Sequence, residues 1–204
     1  MSMKILLASG SPRRIELLGS MGFEVRVCPS GADESCDPLW TPERCSRELA
    51  LRKARAVAHK ALPDEYVVAA DTGVYFDGKL LGKPADKEEA RRMLCLLSGK
   101  THKVYTGIAV VKDGKECSAV CETEVGFFEL SEELIENYLS TNESMDKAGA
   151  YGVQGYGAAL VSGIKGDYFN VVGLPLALLF DVFEKEFGIK PLSWLTSAGT
   201  EKNS

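Results

Sequence analysis

Short apolar runs alternate along the chain with longer stripes of apolar residues at helical spacing. "KILLAS", residues 4–9, has the length and β-leaning ending of a buried strand, and Gly10 breaks it. Ser11 then sits where an N-cap is wanted and Pro12 at the first helical position, where its missing N–H costs nothing. Ile15, Leu17, Leu18 and Met21 form the stripe of that helix, and Gly22 supplies its stop. Residues 42–62 carry the longest helical pattern, capped by Thr41, opened by Pro42 and striped by Ala50, Leu51, Ala54, Val57, Ala58 and Ala61, with Lys53 at the edge of the stripe. "YVVAA", residues 66–70, predicts a buried strand that ends on an acid, Asp71. An Asp-Gly hairpin follows, and its second arm runs out at Gly82, Lys83 and Pro84. Beyond it the pattern predicts a helix over 86–99, two strands around a second Asp-Gly turn over 101–130, and a helix over 131–140. A glycine-dense loop from Gly149 to Gly157 carries Gln154, residues 158–172 read as a further hairpin, and 175–187 as a closing amphipathic helix. The expectation is one α/β domain over residues 1–188 and a polar tail, 189–204, partly mobile.

Charge changes this picture at one place. Arg13 and Arg14 fall in the first turn of the first helix, where unpaired N–H groups and the macrodipole already supply about half a positive charge. The helix beginning at Asp86 obeys the dipole rule with acids in its first turn, so the violation at Arg13 and Arg14 is local. The counter-charge is expected from Asp33 or Glu34, from solvent, or from a phosphate held by helix N–H groups, the hydroxyls of Ser9 and Ser11 and a guanidinium fork. No Walker A pattern is present.

Composition narrows the partners. The chain has 204 residues, 45% hydrophobic and 26% charged, with a net charge of −5, which argues against broad nucleic-acid binding and leaves any basic cluster to a small anion. Six cysteines show no CxxC and no zinc spacing with His59 and His102, so free thiols in a reducing cytoplasm are expected. Neither a signal-peptide pattern nor an apolar run of about 18 residues occurs, so no membrane partner is expected.

Collected, the candidates are Arg13, Arg14, Lys53 and Lys83 with the acids Glu34 and Asp71. Four cations and two carboxylates suit a polyphosphate substrate: the cations stabilise charge on a pyrophosphate leaving group, and the carboxylates hold a divalent metal or deprotonate water. No Ser/His/Asp or Cys/His arrangement competes.

"LLASGSPRRIELL", "AADT", "GKP", "LSGKTHKVYTGIAV", "DKAGAYGVQGYG" and "VVGLPL", in that order from residue 4 to about 185, resemble the Maf family of nucleoside triphosphate pyrophosphatases. The resemblance implies a two-lobed α/β fold around a bent mixed sheet, similar to the inosine triphosphatase fold, with the substrate between the lobes. It implies a house-cleaning hydrolase, commonly a homodimer, that cleaves a nucleoside triphosphate to monophosphate and pyrophosphate with a divalent cation, Mg2+ or Mn2+. By the same resemblance Asp71 is the proton acceptor, Glu34 an acid near metal or water, and Ser9, Arg13, Arg14, Lys53 and Lys83 hold phosphates. Arg13, Thr72 and Gln154 match the pattern of the dTTP/UTP subgroup, whereas the 7-methyl-GTP subgroup carries an aromatic, a glutamine and a glutamate there. Two other readings stay open: a nucleotide-binding regulator of septum formation, and a pyrophosphatase acting on purine or 7-methyl-GTP substrates.

Overall fold

The computed structural model describes residues 2–196. Its strands are β1 (Lys4–Leu7), β2 (Glu24–Val27), β3 (Glu65–Phe76), β4 (Lys79–Leu81), β5 (Thr101–Lys112), β6 (Lys115–Phe127) and β7 (Val161–Lys165). The helices are α1 (Pro12–Ser20), α2 (Pro42–Ala58), α3 (Lys87–Leu97), α4 (Glu132–Ser140), α5 (Tyr168–Val172), α6 (Leu176–Phe187) and α7 (Ser193–Thr196). One mixed sheet has the order β2-β1-β3-β5-β6-β7, with β4 paired to β3. β1 runs parallel to β2 and β3, and the other pairs are antiparallel.

The cleft follows from a difference in strand length. β1 stops pairing with β3 at Leu7↔Val68, and β4 does not take up the same edge until Val74↔Leu81. Between those points β3 is paired only to β5, so residues 69–73 border an open notch in the sheet edge. Helices pack on either side of it. Around β1, the even face of β3 (Val68, Ala70) packs with Leu18, Leu179 and Phe183, and the odd face (Val67, Ala69) packs with Ala50, Ala54 and Val57 of α2. Beyond the notch Val74, Val104 and Val125 pack with Leu94 and Leu97 of α3 and Ile135 and Leu139 of α4. Three apolar clusters thus grow from the period-two alternation of the same long strands.

Several local expectations hold. Thr41 caps α2 through Arg44 N, Asp86 caps α3 through Glu89 N, and Asp77-Gly78 and Asp113-Gly114 make their hairpins with positive φ at all four residues. Others are corrected. β3 does not end at Asp71 but runs through it to Phe76, because β5 pairs continuously from Val67 to Tyr75. The hairpin expected over 158–172 is a single strand, β7, followed by α5, because Asp167 accepts from Phe169 N and Asn170 N and so starts a helix. Ser11 is at the N-cap of α1 but its side chain does not cap; its N–H donates instead to Ser9 Oγ.

The cysteines also depart from expectation. Cys36 and Cys45 form a disulfide, with Cα atoms 5.8 Å apart, while Cys28, Cys95, Cys117 and Cys121 are free. The nine-residue separation gives no motif; the pairing arises because the loop after β2 folds back on the first turn of α2. Within the stretch read as a tail, Trp194 is buried against Phe23 and donates through Nε1 to Met21 O, and residues 197–204 lie outside the described residues. No helix among the described residues is long and apolar enough to cross a membrane.

Candidate active site

The notch opens into a cavity of about 480 Å3 lined by Ser9, Arg13, Arg14, Glu34, Lys53, Asp71, Thr72, Lys83 and Gln154, every site residue the sequence singled out. Alternation along β3 sends Asp71 and Thr72 to opposite faces. Asp71 shares its face with Val67 and Ala69 and so meets α2, which approaches closely because its partner in the sheet is Gly107: a Cβ there would lie 2.1 Å from Ser46 O. This approach brings Lys53 onto the acid. Its Nζ lies 2.5 Å from Asp71 Oδ1 and 2.7 Å from Glu34 Oε1, so one nearly buried ammonium bridges two carboxylates. Lys53 holds the Glu34 carboxyl below the usual range, and Lys83 and Arg14 add to the effect.

Thr72 faces the other way. Its hydroxyl accepts from Arg14 Nη2 at 3.1 Å and lies 2.9 Å from Thr106 Oγ1 on the neighbouring strand. Thr106 donates in turn to Asn170 O, so Thr72 is the donor to Thr106. Asn170, fully buried, donates to Val104 O and Thr123 Oγ1 and thereby fastens α5 to β5 and β6.

The two arginines have separate fates. Arg14 donates to Gly173 O, Ser9 Oγ and Thr72 Oγ1, three neutral oxygens, and burial pulls its guanidinium down to about 10, against the opposing pull of Asp71. Arg13 has a buried Nε with no hydrogen-bond partner among the described residues. Neither forms an ion pair among those residues. Neither Asp33 nor Glu34, the acids considered for them, makes a direct ion pair with the arginines, since Asp33 accepts from Ser35 and Glu34 pairs with Lys53. Arg13, Arg14, Lys53, Lys83 and Lys147 line the cavity against three carboxylates, Glu34, Asp71 and Asp146, so the site is short of negative charge.

Across the cavity, Lys83 follows β4 on a segment held by a hydrogen bond from Gly149 N to Gly82 O. Gln154 is exposed at the tip of the glycine loop. Sequence reasoning missed the wall behind it: Asp146, Lys147 and Tyr151 also line the cavity, and Tyr151 Oη is 2.7 Å from His102 Nε2. The adjacent opposite charges in "DKAGAYG" were the available signal for the first two; nothing local marks His102 as the partner of Tyr151.

Comparison with known proteins bears on what this arrangement belongs to. The chain is 49% identical over 185 residues to a protein of Thermococcus onnurineus (strain NA1) named dTTP/UTP pyrophosphatase, covering 91% of this chain and 99% of that protein. A protein of the same name from Halalkalibacterium halodurans is 51% identical over 173 residues, covering 85% of this chain and 90% of that one. Among solved structures, the Ham1 protein of Staphylococcus aureus overlaps with a TM-score of 0.46 at 17% identity, covering 62% of this chain and 72% of that one. A family model described as Maf-like protein matches residues 4–186, and the chain belongs to that family.

Proposed function

We propose that this protein hydrolyses dTTP and UTP to the nucleoside monophosphate and pyrophosphate. The observation that carries the reading is the opposition, in one cleft, of a carboxylate pair bridged by Lys53 and an arginine at a helix start that forms no ion pair among the described residues. Relatives close to half identical along nearly their whole length bear the matching name.

In this reading the triphosphate is the missing anion. Arg13, Lys83 and the N–H groups at the start of α1 receive phosphate oxygens and stabilise charge as pyrophosphate leaves. Asp71 is the proton acceptor: Lys53 occupies Oδ1, which leaves the second carboxylate oxygen to orient a water and take its proton. Ser9, Thr72 and Gly173 hold three of the five N–H donors of Arg14 and so fix its plane; the remaining N–H groups on Nη1 and Nη2 are left for a phosphate oxygen. Gln154 presents an amide able to donate to and accept from a pyrimidine edge.

The donor set fits a divalent cation. Asp71 and Glu34 each give Lys53 one oxygen and keep a second, and Mg2+ or Mn2+ commonly takes one or two carboxylates with the substrate's phosphates completing the shell. Those two residues would hold it. Bound there, the cation would neutralise phosphate charge and lower the pKa of water. A homodimer and a cytoplasmic location belong to the same reading, and sizing by light scattering tests the first.

The deciding experiment is anion-exchange analysis of products from dTTP, UTP, CTP, ATP, GTP and 7-methyl-GTP with Mg2+, using the protein and Asp71→Asn. Monophosphate and pyrophosphate from dTTP and UTP, lost in the variant, are expected. Turnover of 7-methyl-GTP instead would overturn the specificity, and no turnover at all would point to a nucleotide-binding protein.

A further inference from the structure

The glycine loop that carries Gln154 ends in a 3-10 turn, Gly155–Leu160, for which Gln154 is the N-cap residue. An N-cap side chain ordinarily turns back to accept the first free N–H groups of its own turn. The Gln154 side chain makes no such bond. Glu143, in the loop after α4, does it instead: Oε1 accepts from Tyr156 N at 3.2 Å and Oε2 from Gly157 N at 3.3 Å. The carboxylate is seated against the loop, since a Cβ on Gly155, whose φ is +67°, would fall 2.4 Å from Oε1. The loop's two ends also touch, because a Cβ on Gly157 would fall 2.0 Å from Gly152 O. Below, Tyr138 Oη accepts from Gly152 N, and Lys147 Nζ donates to the carbonyl of Glu143.

We propose that Glu143 is the positioning residue for Gln154. By capping the turn from outside the loop, it frees the Gln154 amide to stand in the cleft at a fixed depth, and that depth admits a pyrimidine and excludes a larger base. An ionised acceptor suits this role because its bonds to N–H are stronger than those of a neutral cap and match the positive end of the turn. The inference rests on the reading of the site as a pyrimidine nucleotide pyrophosphatase, with Gln154 at the base.

The test is steady-state kinetics with UTP and GTP on the wild type, Glu143→Ala, Glu143→Gln, Gln154→Ala and the Glu143→Ala/Gln154→Ala double variant. Glu143→Ala is expected to raise KM for UTP about tenfold, to change kcat less than about threefold, and to erode the UTP:GTP ratio of kcat/KM by a similar factor. Glu143→Gln, which keeps one acceptor, recovers part of the loss. Added to Gln154→Ala, the Glu143 change moves the ratio less than about twofold further, because the two act as one unit. A fall in kcat alike for both nucleotides, or effects that multiply independently of Gln154, overturns the proposal. Amide hydrogen exchange needs no turnover and separates the two readings. Exchange at Tyr156 and Gly157 is expected to quicken about tenfold or more in Glu143→Ala, with the sheet unchanged. Unchanged exchange there overturns the role of Glu143 whatever is hydrolysed, whereas wild-type protein that cleaves neither nucleotide overturns the reading of the site and leaves Glu143 to be judged by exchange.

Discussion

Arg14, in the first turn of α1, donates to the hydroxyl of Thr72, 58 residues later in the chain. That bond joins the phosphate-side helix to the strand bearing Asp71. It also gives Thr72 a definite role. With its proton committed to Thr106 and a lone pair to Arg14, the hydroxyl acts on the site chiefly by fixing a guanidinium.

Replacing Thr72 with Val therefore takes the acceptor from Arg14 Nη2 and the donor from Thr106, which keeps its own bond to Asn170 O. Folding stability is expected to fall by about 1–3 kcal/mol, the range for buried polar groups left unpaired, with UTP turnover falling about tenfold or more. Thr72→Ser, which retains the hydroxyl, should stay near wild type in both urea melts and kinetics. Equal behaviour of the two variants would contradict the link.

At Asp71 the expected result is a separation of chemistry from binding. Asp71→Asn keeps an oxygen for Lys53 but removes the base, so kcat should drop about 10^2- to 10^4-fold. Affinity for a UTP analogue with a non-hydrolysable α,β bridge, measured by calorimetry without divalent cation, should hold or rise as a negative charge leaves the cleft. Retained turnover would remove Asp71 from the proposed mechanism.

His102 predicts a pH dependence of stability. Burial pulls its imidazole from 6.5 down to about 4, so it is neutral in the folded protein near pH 7. The unfolded chain takes up a proton below pH 6.5 while the folded one resists until about 4, so stability falls as pH drops through that window. The gap between the two values bounds the loss at roughly 3 kcal/mol, about 2 of it reached by pH 5. Urea melts at pH 7 and pH 5 measure it; His102→Gln, able to keep a hydrogen bond to Tyr151, should lack that share of the loss.

For the disulfide, thiol titration of the denatured, unreduced protein should find four thiols of the six cysteines. Six would refute the bridge. Closing so short a loop is worth about 2–3 kcal/mol in the chain-entropy model, and Cys36→Ser should lose about that much in a non-reducing melt.

How much of this could be read from residues alone depended on range. Caps and turns are local chemistry, so α2, α3 and both Asp-Gly hairpins were readable from Thr41, Asp86, Asp77 and Asp113. The continuation of β3 through Asp71 was not, because an acid within an apolar run looks like an end unless the partner strand is known. The anomaly at Arg13 and Arg14 located the site, yet only the fold could divide the pair into one arginine held by protein oxygens and one whose buried Nε has no hydrogen-bond partner among the described residues. Lys53 was ambiguous on its helix until Gly107 let α2 settle against the sheet. Glu143 carried no signal of its own, since its partners are backbone groups 13 and 14 residues away.

β3, β5 and β6 pass unbroken beneath both walls of the cleft. A molecule built this way has no linker to bend. The spacing between Arg13 on one wall and Lys83 on the other is set by the twist of three shared strands, as the jaws of a spring clip are set by the curve of its steel. Elastic stiffness of the sheet thus becomes a property of the binding site, and residues that tune twist at the far ends of those strands bear on the grip as directly as residues that line it.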